Sequence, residues 1–135
     1  MKRLVFGAAL FVVAIACMPA ASLENTEWKV KELGGKAVQV ENENQRPHII
    51  LRPASQQVSG FGGCNNFQGV YDLKDDNVRF RNMLGTLRAC VDQAMNERER
   101  QFMDALSATT SFKLKGGTLE LFDGSRVVAR FSTKE

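Results

Sequence analysis

The chain reads as a mainly β (α+β) protein. The expected form is a small antiparallel, partly open β-barrel of about seven to eight strands with one amphipathic helix, about Asp92 to Leu106. Three observations predict this. Short alternating runs recur along the chain, cut by turn signals such as Gly34-Gly35, Gly116-Gly117 and Asp123-Gly124. The stretch from Asp92 to Leu106 lacks glycine and proline and changes to helical spacing. No repeat of blade or solenoid length is visible.

The elements follow in order. Thr26 to Leu33 alternates, placing Trp28, Val30 and Glu32 on one side, and stops at Gly34-Gly35. Glu41 to Arg46 is a polar loop. His48 to Arg52 is a compact apolar run ended by Pro53, and Gln56 to Phe61 alternates through Val58. Gly69 to Leu73 leads into Lys74-Asp75-Asp76-Asn77, a turn rich in residues that bond their own backbone. Asn77 to Met83 continues, with Val78, Phe80 and Met83 inward. In the helix, Ala94, Met95, Arg98, Phe102, Met103 and Leu106 fall near one face, opposite Glu97, Arg100, Gln101 and Asp104. Ser111 to Lys115, Thr118 to Phe122 and Arg126 to Phe131 close the chain as a meander.

The amino terminus has an export layout. Met1-Lys2-Arg3 is a short basic region, and Leu4 to Ala16 runs apolar with only Gly7 interrupting. Such a run is shorter than the about 20 residues a spanning helix needs. Residues 1–16 are therefore expected to be a signal peptide, 17–24 a tether and 25–135 the folded domain. Ala14-Ile15-Ala16-Cys17 resembles a bacterial lipoprotein box, with Cys17 lipidated; Ala14 departs from the usual large aliphatic residue. Ala14 and Ala16 also satisfy the small-x-small rule of ordinary signal peptidase. The expected location is the periplasm or the outer membrane, with a lipid anchor as the membrane contact.

Charge excludes little but nucleic acid. Lys2 and Arg3 leave with the signal, so 18 basic residues less 2 gives 16, against 15 acidic. No single-sign excess suggests a nucleic-acid partner. A monomer is expected.

The most distinctive stretch is Ser59-Gly60-Phe61-Gly62-Gly63-Cys64-Asn65-Asn66-Phe67-Gln68-Gly69-Val70-Tyr71, followed by Thr86-Leu87-Arg88-Ala89-Cys90. With the Glu99-x-x-Phe102-Met103-x-x-Leu106 helix and the closing strands at Leu119 and Leu121, it resembles the META domain family, also called HslJ-like. Trp28 sits where that family opens its first strand. The resemblance covers roughly Leu23 to Phe131. It implies a small β-rich, partly open barrel closed by one helix, in envelope or secreted proteins, many lipidated and some linked to heat stress, drug tolerance or motility. No enzymatic activity is established for that family, and the expected reading is a non-enzyme without a cofactor.

With Cys17 consumed by lipid or lost with the signal, Cys64 and Cys90 remain. Two cysteines in an exported domain most simply form one disulfide. A redox-active pair would sit as Cys-x-x-Cys at a helix start, which this spacing does not match. Metal binding has little support: His48 is the only histidine. Asp72, Asp75 and Asp76 lack the spacing and glycine of a calcium loop. Hydrolytic signatures are absent too, with no Gly-x-Ser-x-Gly elbow and no phosphate loop.

Two roles follow. One is a non-catalytic envelope protein that meets a protein partner or acts under stress, using Asn65, Asn66, Phe67 and Gln68 as an interaction loop. The other is binding of a small ligand, such as an acyl chain, among Phe80, Met83, Phe102, Met103, Phe112, Phe122 and Phe131 inside the barrel. A thiol redox protein is the third alternative.

Overall fold

The computed structural model describes residues 7–14, 21–86 and 90–134. Strands β1 (Trp28–Leu33), β2 (Lys36–Ala37), β3 (His48–Arg52), β4 (Gln57–Phe61), β5 (Asn66–Lys74) and β6 (Asn77–Gly85) precede the helix α1 (Gln93–Ala108). Strands β7 (Ser111–Lys115), β8 (Thr118–Asp123) and β9 (Arg126–Ser132) follow it. The nine strands form one antiparallel sheet in the order β2-β1-β3-β4-β5-β6-β7-β8-β9. A further β1–β9 pairing curls it into a ring. Among the described residues the chain is thus mainly β with a single α-helix.

Strand β1 is shared around the closure. Its start pairs with β3 through Trp28↔Ile49, its end pairs with β2, and β9 runs along its other side. The loosest seam is β6–β7, joined at Asn77↔Ser111. Main-chain bonds Val78 N to Thr110 O (3.2 Å) and Phe112 N to Asp76 O (3.0 Å) reinforce that corner. The link from β6 to β7 contains α1, which packs on β6 and β9.

Two bulges set which side chains face inward. In β1 the register shifts between Val30 and Glu32, so Val30 opposes Phe131 while Glu32 opposes Arg130. The extra residue reverses the alternation. Leu33 is buried, and Glu32, expected inside, instead pairs with Arg130 on the outer face. Arg130 also reaches Glu120 at 2.8 Å, making a cross-strand ladder over β1, β9 and β8. In β6 the shift lies near Asn82, whose φ is 53°. It brings Met83 onto the same side as Val78 and Phe80, as expected.

The interior of the ring is filled. Trp28, Ile49, Phe102, Leu106, Leu119, Leu121 and Phe131 are fully buried. The Phe102 ring stands edge-on to Phe67 at 5.6 Å and lies 6.1 Å from Phe131, so α1 is anchored by one aromatic reaching to the middle of the sheet. Asp92 caps the helix by accepting from Ala94 N at 2.9 Å. Ala94, placed on the inward face by spacing, is exposed at this first turn, while Ala105 takes an inward position.

Residues 7–14 carry no regular secondary structure; the rest of the expected signal segment and Cys17 lie outside the described residues. Among the described residues no helix is long and apolar enough to cross a membrane. The end of the expected tether is docked. Leu23 is buried and accepts from the Trp28 indole N–H at 3.0 Å. Glu24 forms a parallel bridge with Leu51.

Candidate functional site

The turn between β4 and β5 is held by the helix. Gly62 N donates to Asn65 O at 2.9 Å, closing the turn on itself. Gly63 within it has φ 108°, a conformation costly for any residue with a Cβ. Gly62 is packed so tightly that a Cβ there would lie 2.6 Å from the Glu99 side chain.

Glu99 is the centre of the arrangement. One carboxylate oxygen accepts from the main-chain N–H of Cys64 (3.2 Å) and of Asn65 (2.8 Å), and the other accepts from the Asn65 side-chain amide at 2.6 Å. The Asn65 side-chain oxygen accepts in turn from the Thr86 hydroxyl at 2.8 Å, and Thr86 N donates to Asn66 O at 3.0 Å. One acidic residue on α1 therefore substitutes for sheet partners that a turn of this shape lacks.

Cysteines join the same place from two sides. Cys64 and Cys90 form a disulfide across 26 residues, with their Cα atoms 5.9 Å apart. Cys90 is further tied to α1, because Asn96 accepts from its N–H and donates to its carbonyl, both at 3.2 Å. Asn96 and Glu99 lie three residues apart on α1, so neighbouring side chains of one helix face hold the two cysteine-bearing segments. Leu87, Arg88 and Ala89 lie outside the described residues.

A basic residue braces each neighbouring loop. Arg98 donates to Gln39 O at 2.7 Å, linking α1 to the segment after β2. Arg46 grips both carboxylate oxygens of Glu43 (2.6 and 2.7 Å) and donates to Val30 O (2.9 Å) and Val38 O (3.1 Å). Glu43 and Arg46 sit in and beside a short 3-10 turn, Glu43–Gln45, within the stretch read only as a polar loop.

The four expected loop residues divide into two pairs. Asn65 is buried among its bonds to Glu99 and Thr86, and Phe67 in the core, which corrects their assignment to an exposed contact loop. Strand alternation from Asn66 sends Phe67, Gly69 and Tyr71 inward and leaves Asn66 and Gln68 exposed. These two line a surface hollow of about 460 Å³ with Gln57, Asn82, Leu84 and Thr86. A second hollow of about 530 Å³ lies between the Gly34-Gly35 turn, the end of α1 and Arg126. Of the residues expected to line a ligand cavity, Phe80, Phe102 and Phe131 are core, while Met83, Met103 and Phe112 pack against it. His48 directs a ring nitrogen to Arg46 O at 3.3 Å.

Tyr71 carries the clearest electrostatic perturbation. Its hydroxyl donates to the Glu24 carboxylate. Burial first, and then the hydrogen bond and charge of Glu24, push the phenol well above its ordinary range.

These features define a class: a single-helix, ring-like antiparallel β domain whose β4–β5 turn is locked to the helix by a carboxylate and a disulfide. The META domain profile matches residues 21–135, and the chain belongs to the META domain family. Three solved structures share the fold. A protein from Burkholderia xenovorans, solved by NMR, is 25% identical, with 93% of this chain and 97% of that one covered and a TM-score of 0.63. Another NMR structure is 20% identical, covers 82% and 91%, and has a TM-score of 0.64. A DUF4847 family protein from Bacteroides vulgatus is 15% identical, covers 83% and 94%, and has a TM-score of 0.57. No curated protein matches.

Proposed function

We propose that this META domain protein is a non-catalytic component of the bacterial cell envelope, held at the membrane by a lipid on Cys17 and meeting a protein partner, with a role under stress. The observation that carries this reading is the Cys64–Cys90 disulfide. Disulfides persist in oxidising compartments such as the periplasm, in agreement with the basic and apolar amino terminus. The groups converging at the β4–β5 turn support a structural use: Glu99 and Asn65 are engaged in holding the backbone.

Contact with the partner is assigned to Asn66 and Gln68, which are exposed beside a hollow on a strand paired along both edges. A polar pair on a fixed scaffold loses little conformational freedom on binding. An acyl chain within the ring gains no support, since large side chains occupy that interior.

Two measurements test the reading. Mass spectrometry of the mature protein from the membrane fraction should find an acylated amino-terminal Cys17; an unmodified fragment beginning at Ala21 or Ser22 would end the anchoring part. Cross-linking in the intact envelope should then lose its main adduct in an Asn66→Ala, Gln68→Ala double variant. An unchanged adduct pattern at unchanged protein level would remove these residues from the contact.

A further inference from the structure

Sequence spacing offers no metal site, yet among the described residues the fold brings a ligand set together. The sulfurs of Cys64 and Cys90 and a carboxylate oxygen of Glu99 all lie within 4.8 Å of one another. We propose that reduction of the disulfide converts this cluster into a binding site for a zinc-class divalent cation, with Cys64, Cys90 and Glu99 as ligands and water in the fourth position.

Ligand chemistry suits the ion. Zn²⁺ takes thiolate and carboxylate donors in a tetrahedron, at about 2.3 Å from sulfur and about 2.0–2.2 Å from oxygen. Donor atoms around such an ion are separated by about 3.5–4 Å on those bond lengths, so the carboxylate is already within reach and the two sulfurs, bonded to each other when oxidised, swing apart by side-chain rotation once that bond is broken. All three residues are half-buried, which leaves the site within reach of an ion and a reductant.

The scaffold does not rely on the sulfur–sulfur bond alone. Cys90 is tied through its backbone to Asn96, and Cys64 through its backbone to Glu99. Both anchors belong to α1. The Asn65 amide groups fix the orientation of the Glu99 carboxylate, as outer partners of metal ligands commonly do. Each carboxylate oxygen has two lone pairs, and the oxygen facing the Asn65 side chain needs only one for that bond.

The chemistry balances simply. A dithiol reductant supplies two electrons and two protons, the Cys64–Cys90 bond breaks, and the reductant closes its own disulfide. Zn²⁺ then displaces the two thiol protons to water as two Zn–S bonds form. In the oxidised state neither sulfur is a thiolate, so the ion is not held. The site is therefore gated by redox state, and its existence does not depend on the envelope role proposed above.

The test uses the full chain carrying Cys17→Ser, so that Cys64 and Cys90 supply the thiols. Co²⁺ is titrated as a coloured substitute and displaced with Zn²⁺. Expected are no thiolate-to-cobalt band in the oxidised protein and, after reduction, a band saturating at one ion per chain. Cys90→Ser should abolish it. Glu99→Gln should weaken Co²⁺ binding at least about tenfold, and Glu99→His, which restores a ligand, should recover it. Circular dichroism of each reduced sample establishes that the binding species is folded. Unchanged affinity in Glu99→Gln, equal loss in Glu99→Gln and Glu99→His, or the same affinity in chain unfolded by denaturant would each overturn the site.

Discussion

The Glu99 carboxylate holds Asn65 twice, accepting from its main-chain N–H at 2.8 Å and from its side-chain amide at 2.6 Å. A third bond from Cys64 N–H makes this one side chain the main polar tie between the helix and the β4–β5 turn. Hydrogen bonds to a charged group contribute about 1.5–3 kcal/mol, and their loss leaves half-buried donors unpaired. Glu99→Ala should therefore lower unfolding free energy by about 2–3 kcal/mol in urea titrations of the oxidised protein. Thr86→Ala, which removes one neutral bond at the rim of the same network, should cost about 1 kcal/mol. Equal costs for the two would show that Glu99 does not dominate the tie.

Glycines around the turn make a sharper distinction. At Gly62 a new Cβ would meet Glu99 atoms at 2.6 and 2.7 Å, and that side chain can retreat at the expense of its hydrogen bonds. At Gly60 it would meet His48 O at 2.3 Å, a main-chain atom held in the β3–β4 ladder, and the buried Phe67 ring at 2.5 Å. Overpacking typically costs about 1–3 kcal/mol. Gly60→Ala should fall at or above the upper end and Gly62→Ala nearer the lower, read as midpoint shifts in the same titration. The reverse order would contradict the close approach of β3 and β4 at Gly60.

Much of this architecture is legible because its rules are local. Alternation and turn residues locate His48–Arg52, Ser111–Lys115 and the helix to within a residue or two, and Val78, Phe80 and Met83 read as inward even across a bulge. Glu32 is misplaced because the bulge that turns it outward depends on the register of β9, about a hundred residues away in the chain. Asn65 and Phe67 look like parts of an exposed loop because the partner that buries Asn65 is Glu99, 34 residues on. Phe67 did carry a signal, since Phe67-x-Gly69-x-Tyr71 is a strand pattern with one face inward. The Arg46 clamp is only half legible: its pairing with Glu43 is a local i,i+3 contact, but its other acceptors are main-chain oxygens of Val30 and Val38, which no sequence pattern marks.

The disulfide should act chiefly on the unfolded chain. Closing a loop of 26 residues removes unfolded-state entropy worth about 3–4 kcal/mol on the chain-entropy relation. In chelator, so that no ion compensates, the reduced protein should lose about that amount while keeping its far-ultraviolet dichroism. Its native state retains the Asn96 and Glu99 ties. Collapse of the dichroism on reduction would mean that those ties cannot hold the two segments unaided.

Tyr71 gives a pH dependence that can be read without interference, because it is the only tyrosine in the chain. Burial and the neighbouring Glu24 carboxylate both oppose formation of the phenolate, so the folded-state pKa is raised. The unfolded phenol titrates near about 10. Below that pH both states keep the proton and the stabilising contribution is fully present. Above it the unfolded chain releases a proton that the native state retains, so stability falls as pH rises toward the folded-state pKa, by at most about 1.4 kcal/mol per pH unit from this group. Phenolate absorbance of the native protein should accordingly stay low through pH about 11 and then rise together with unfolding. Tyr71→Phe should reduce the alkaline loss of stability. Glu24→Gln should lower the phenol's pKa, since the charge that opposes ionisation is removed while a hydrogen-bond acceptor remains. A native phenol that titrates near about 10 while the protein stays folded would show that Tyr71 is not shielded by burial and the Glu24 carboxylate.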